Sequence, residues 1–125
     1  MSFLRGNIHD LVVDQGATVH QVFTIKNSAR RIISLVGYSA RMQVRRWDKV
    51  NHDPALVDVA EYTTENGYLT GNGAAGTITL LIPPADTAEY EPDSYVYDIE
   101  VETANAGDTT RIIQGKFIVR AEVTK

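Results

Sequence analysis

Apolar and polar residues alternate with a period of two in several separate stretches of this chain, the spacing that places successive side chains on opposite faces of a β-sheet. Tyr38, Ala40, Met42 and Val44 alternate with Ser39, Arg41, Gln43 and Arg45. Tyr95, Tyr97, Ile99 and Val101 do the same against Asp98, Glu100 and Glu102, and Ala17, Val19, Phe23 and Ile25 against Thr18, His20 and Lys26. Ile78, Leu80 and Ile82 make a fourth inward row, and Ile113, Phe117 and Val119 a fifth, with Gln114, Lys116 and Arg120 turned the other way. Ile8 to Asp14, Leu56 to Tyr62 and Tyr68 to Thr70 are weaker candidates. Turn residues part these runs: Asp14-Gln15-Gly16, Asn27-Ser28, Val36-Gly37, Asn66-Gly67, Gly71-Asn72-Gly73, Pro83-Pro84, Glu91-Pro92-Asp93 and Asn105-Ala106-Gly107-Asp108. The only helical candidate is Pro84 to Tyr90, where proline suits a first turn and Asp86 and Glu89 complement the helix dipole.

Seven or eight short strands at this spacing predict an all-β fold, a β-sandwich or a small barrel; the reading adopted is a single antiparallel β-sandwich of immunoglobulin-like character with at most one short helical turn. The Tyr95 and Tyr97 pair after Pro92-Asp93 resembles the tyrosine that locks a corner of such sandwiches. Composition agrees: Val and Ile total 23 against 7 Leu, beside 12 Thr, and β-branched side chains favour pleated sheets. The length of 125 residues suits one domain, 1–125, and neither a repeat nor a linker marks a boundary. With no cysteine, disulfide staples, thiol nucleophiles and thiolate metal sites are all excluded.

A net charge of −4 provides no broad basic field, so nucleic acid is not an expected partner. Neither a secretory signal core nor a membrane-spanning apolar stretch is found, and a soluble product is expected. Gly71-Asn72-Gly73-Ala74-Ala75-Gly76 matches the spacing of a dinucleotide-binding loop, but a strand pattern follows where a helix is required, and a hairpin loop is the expectation. His9, His20 and His52 lack the short spacing of metal sites, and His52 lies in the polar loop Asp48 to Asp53. None of the serines sits in a nucleophile elbow. The carboxylates fall on outer strand positions or in turns. No catalytic residue, cofactor or metal is therefore expected, and the chain reads as a non-enzyme.

Two features invite an interaction reading. Arg41 and Arg45 on one strand and Asp98, Glu100 and Glu102 on another form opposite outer rows that pair if the strands are neighbours, serving register control or a charged face for a partner. The run Arg45, Arg46, Trp47 and Lys49 holds the only tryptophan where a strand enters a polar loop. Trp and Arg are enriched at interface hot spots, so these four residues are the candidate protein interface. A tryptophan folded back as a lid on the core is the other reading.

Taken in order, several segments resemble a family of small β-sandwich virion proteins and domains of tailed bacteriophages, including the N-terminal domains of upper baseplate proteins and domains attached to long tail fibres. They are Val13 to Ala17, Leu35 to Arg45, Thr64 to Gly67, Gly76 to Leu80, Tyr95 to Glu100, and Arg111 to Gly115 leading to Glu122-Val123-Thr124. The resemblance implies a virion structural protein, made in the host bacterial cytoplasm, with other virion proteins as partners and a homo-oligomeric or multicopy state. A tail, baseplate or fibre-attachment adaptor is the first expectation, and capsid decoration is the alternative. A carbohydrate-binding module is the rival of another class, with Trp47, Tyr62 and Tyr68 as a glycan platform.

Overall fold

A computed structural model of the chain describes residues 7–26, 31, 32, 34–48, 50, 53–103 and 109–122. Among them the fold is all-β. Nine strands run in chain order: β1 (Asn7–Ile8), β2 (Leu11–Asp14), β3 (Val19–Thr24), β4 (Tyr38–Asp48), β5 (Asp53–Thr63), β6 (Leu69–Asn72), β7 (Thr77–Ile82), β8 (Asp93–Thr103) and β9 (Thr109–Arg120). A single short helix, α1 (Pro84–Thr87), joins β7 to β8.

The strands form two sheets. The larger has the order β1-β9-β8-β4-β5, with β2 also on β9, and the smaller has the order β3-β7-β6. The two long strands with the cleanest alternation, β4 and β8, lie side by side and antiparallel, with Arg41 opposite Glu100 and Val44 opposite Tyr97. One expectation needs correcting, because the larger sheet is mixed: β1 and β2 run parallel to β9, with Asn7 opposite Ile113 and Leu11 opposite Phe117. Periodicity places a side chain on a face and carries no information about the direction of the neighbouring strand. The same pairing explains the additional strand, since the Ile8 to Asp14 candidate is interrupted at His9 and Asp10. There the chain passes so close to β9 that a Cβ at Gly115 would collide with the His9 carbonyl, so glycine is the residue that fits.

The core takes its side chains from both sheets. Tyr95, Phe117, Met42, Ile99, Val44 and Val101 come from the larger, and Leu69, Ile78, Leu80 and Ile82 from the smaller, all essentially inaccessible. Fully burying an aliphatic or aromatic side chain of this size contributes about 1.5–3 kcal/mol, so these rows drive the assembly. Ile112 and Ile113 are both buried because the β8–β9 register shifts between Ile99 and Glu100. That bulge turns two consecutive residues inward, where alternation alone predicts only Ile113. Ala17, predicted inward, is exposed, since β3 begins only at Val19.

The helix follows its sequence signals. Proline occupies the first turn, Asp86 sits near the positive end of the dipole, and the backbone N–H of Ala88 donates to the Pro84 carbonyl at 3.0 Å. Thr87 is fully buried; its hydroxyl donates to the Ala17 carbonyl at 2.7 Å, which ties α1 to the turn before β3. Within the Gly71–Gly76 segment, Gly71 and Asn72 end β6 and residues 73–76 turn the hairpin into β7, with Gly76 at the positive φ of 67° that such a turn uses.

Candidate functional site

Residues that alternate away from the core on β4, β8 and β9 form the outer face of the larger sheet, and the strand registers order them into rows. Val12, Ile118 and Ser94 lie across one end. Lys116, Val96 and Arg45 form the next row, followed by Ile8, Gln114, Asp98, Gln43 and Glu61. Arg111, Glu100 and Arg41 come after that. A groove of about 600 Å³ runs over this face, bounded by Trp47, Arg45, Val96, Asp98, Gln114 and Lys116 among others.

The polar groups here largely satisfy one another. Arg41 bridges Glu100 at 3.0 Å and Arg111 bridges Asp98 at 3.1 Å, while Arg45 donates to Gln43 Oε1 at 3.2 Å and Gln43 to Glu61 Oε2 at 2.9 Å. The expected pairing of opposite charges between β4 and β8 is thus made directly by Arg41 and Glu100. Asp98 is half-buried among these groups, and burial raises its carboxyl above the usual aspartate range against the opposing pull of Arg111.

The candidate run at the end of β4 is divided by strand geometry. Arg45 and Trp47 face the groove, and Trp47 is 44% exposed, so its ring is available at the surface instead of closing the core. Arg46, between them, turns to the other side: it lies opposite Tyr95, and its guanidinium sits 5.2 Å from the centre of that ring. It bridges Glu91 and Asp93, both at 2.9 Å, and its hydrogen bond to Glu91 is the main cause of its raised pKa. Lys49 lies outside the described residues, as does His52.

A second, smaller pocket of about 300 Å³ is lined by Tyr62, Tyr68, Tyr90 and Asp86. The Tyr62 and Tyr90 hydroxyls share a hydrogen bond of 2.6 Å, and the Tyr68 hydroxyl donates to the Asp86 carboxylate. The Tyr62 and Tyr68 rings lie 5.0 Å apart. Trp47 lines the groove and the two tyrosines line this pocket, so the three rings do not assemble into one platform. Burial pushes the Tyr62 hydroxyl up to about 12 and Tyr90 upward as well, so both stay neutral donors and acceptors near neutral pH.

Among the described residues no group of three or more His, Asp or Glu side chains is placed to hold a metal ion, and no helix is long and apolar enough to cross a membrane. Sequence reasoning singled out Arg45 and Trp47 but missed the residues that complete their face: Val12, Val96, Gln114, Lys116 and Ile118. Each belongs to an ordinary outer row. The available signal was the coincidence of outward apolar residues, Val12, Val96 and Ile118, on strands that prove to be adjacent. No family model matches the chain, and a search of curated proteins finds no match.

Proposed function

We propose that this chain is a non-enzymatic structural component of a tailed bacteriophage virion, a tail, baseplate or fibre-attachment adaptor built on an immunoglobulin-like β-sandwich. Strand order supports the architecture. With the strands taken in chain order as A, B, C, C′, D, E, F and G, β1 and β2 together serving as A, the smaller sheet reads B-E-D and the larger reads G-F-C-C′, the arrangement of immunoglobulin-like sandwiches. Tyr95, at the start of the F-equivalent strand, donates its hydroxyl to the Glu91 carbonyl at 2.6 Å, as the tyrosine corner of that fold does. The ordered resemblance to phage virion domains supports the setting.

The observation that carries the adaptor role is the exposed Trp47 on a broad sheet face, with Val96 lining the same groove and Val12 and Ile118 farther along that face. A partially exposed aromatic flanked by Arg and apolar residues is the composition of an interface hot spot. An interface of standard size covers about 800 Å² per partner, and many copies in a particle multiply modest contacts into avidity.

Mass spectrometry of purified particles tests the assignment, and absence of the chain from them overturns it. Within particles, Trp47→Ala lowers incorporation while leaving the isolated domain folded. Copy number decides between the tail and the head surface, with few copies at the tail and many for capsid decoration. The groove favours one second reading, a carbohydrate-binding module, because Trp47 offers a ring face beside the amides of Gln43 and Gln114. Binding on a glycan array that is lost in Trp47→Ala, in a chain absent from particles, would select it.

A further inference from the structure

The two sheets end on strands of opposite character. β5 closes the larger sheet and β3 the smaller, and an unpaired strand edge is a template for another chain unless it is blunted. β5 is blunted three times. Pro54 lies near its start, its register against β4 shifts around Arg45, and the Asn66 side chain caps its far end. There Asn66 Oδ1 accepts from the Thr63 N–H at 2.9 Å and Nδ2 donates to the Glu61 carbonyl at 3.1 Å.

β3 has neither a proline nor a register shift, and the only side chain on its edge backbone among the described residues is its own Gln21, on the Val22 carbonyl. Its sequence, Val19-His20-Gln21-Val22-Phe23-Thr24, contains no proline and no Asp, Glu, Lys or Arg, and its register on β7 is unbroken from Val19–Ile82 to Thr24–Thr77. The Leu81 N–H donates to the Tyr68 carbonyl at 2.9 Å, on the β6 side of β7. By alternation Ile78, Leu80 and Ile82 aim their backbone groups at β3, where they meet Phe23, Gln21 and Val19. His20, Val22 and Thr24 therefore turn their N–H and C=O groups toward an edge that no described strand covers, the bridge between Lys26 and Ile32 beginning just beyond Thr24.

We propose that β3 pairs antiparallel with β3 of a second copy of this chain, about a two-fold axis at Val22. Centred there, Val22 meets its own counterpart and His20 meets Thr24, a self-complementary arrangement of the kind a two-fold contact requires. No formally charged side chain on β3 is set against its own copy, whereas β5 carries the exposed and charged Glu61. Val22 and Leu81, 48% and 47% exposed, are diagonal neighbours on the outer face, and pairing continues their apolar strip across the axis. Gln21 Nε2 now donates to the Val22 carbonyl at 3.1 Å, a bond that the incoming N–H replaces. The edge is short, so the dimer is weak in free solution and gains from the high local concentration of a particle.

Sedimentation velocity on the full chain from about 10 µM to about 1 mM is expected to show a concentration-dependent dimer. Val22→Pro removes an N–H that points away from β7, so the ladder within the molecule survives, and it is expected to weaken association at least about tenfold. For the unaltered chain, the amides of His20, Val22 and Thr24 gain protection from hydrogen exchange as concentration rises, while those of Gln21 and Phe23 do not change. A chain that stays monomeric throughout overturns the proposal, as does a dimer protected at β5 and indifferent to Val22→Pro. Trp47→Ala leaves this association unchanged, so the pairing and the adaptor reading fail separately.

Discussion

The two faces of β8 differ in what they contribute, although they belong to the same eleven residues. Tyr95, Tyr97, Ile99 and Val101 are buried in the core, and the tyrosine hydroxyls find backbone partners, Tyr95 on Glu91 and Tyr97 on His9. Asp98, Glu100 and Glu102 face outward, where Asp98 and Glu100 spend their charge on Arg111 and Arg41. The inner face holds the fold by removing apolar area from water. The outer face contributes little energy and sets a pattern that a partner can read, because exposed ion pairs are worth about 0–1 kcal/mol.

Four measurements would break or sharpen that contrast. Phe117→Ala removes a ring that is 0% exposed and packs near Tyr90, Tyr95 and Tyr97; a loss of about 3–5 kcal/mol is expected in chemical denaturation. Alkaline pH comes next. Tyr62 in the folded chain holds its proton up to about 12, against 10.0 for an ordinary tyrosine, and Tyr90 and Tyr97 shift in the same direction through burial. Above pH 10 the unfolded chain releases protons that the folded chain retains. The stability from these groups is complete below 10 and is lost as pH rises through 12. Thermal unfolding should therefore be flat from neutral pH to about 9 and fall beyond 10, and less steeply in Tyr62→Phe.

On the outer face, a double-mutant cycle of Arg41→Ala and Glu100→Ala should return a coupling of about 0.2–1 kcal/mol that shrinks with added salt. A larger value would mean that the outer rows help to hold the fold. The smallest effect carries an unusual sign. Because the folded surroundings raise the Asp98 carboxyl, the charged form is disfavoured by folding, and Asp98→Asn should stabilise the domain by a few tenths of a kcal/mol at about pH 7. Destabilisation in urea titrations would show instead that Arg111 outweighs burial.

The strands that one-sided burial defines were legible in the sequence. Alternation in β4 and β8 marked both their existence and their inward residues, and Pro84 marked the short helix. What alternation cannot encode is which strand lies beside which, and in what direction. The parallel attachment of β1 and β2, the bulge that turns both Ile112 and Ile113 inward, and the hydrogen bond between Tyr62 and Tyr90 all depend on partners distant in sequence. The candidate interface was half legible for the same reason. Arg45-Arg46-Trp47 looked like one patch, yet a strand sends its middle member to the opposite face, and Trp47 pairs with β5 and shares its groove with residues of β8 and β9.

The parallel pairing of β2 with β9 also has a mechanical meaning. Strands paired this way run in the same direction, so Asn7 and Arg120 lie toward opposite ends of the sheet. Tension applied through those two points would load the hydrogen bonds of β1 and β2 on β9 in shear, with the whole row resisting at once, instead of peeling them apart one by one. Pulled between those two points, the domain would transmit tension along its length without first opening at its seam.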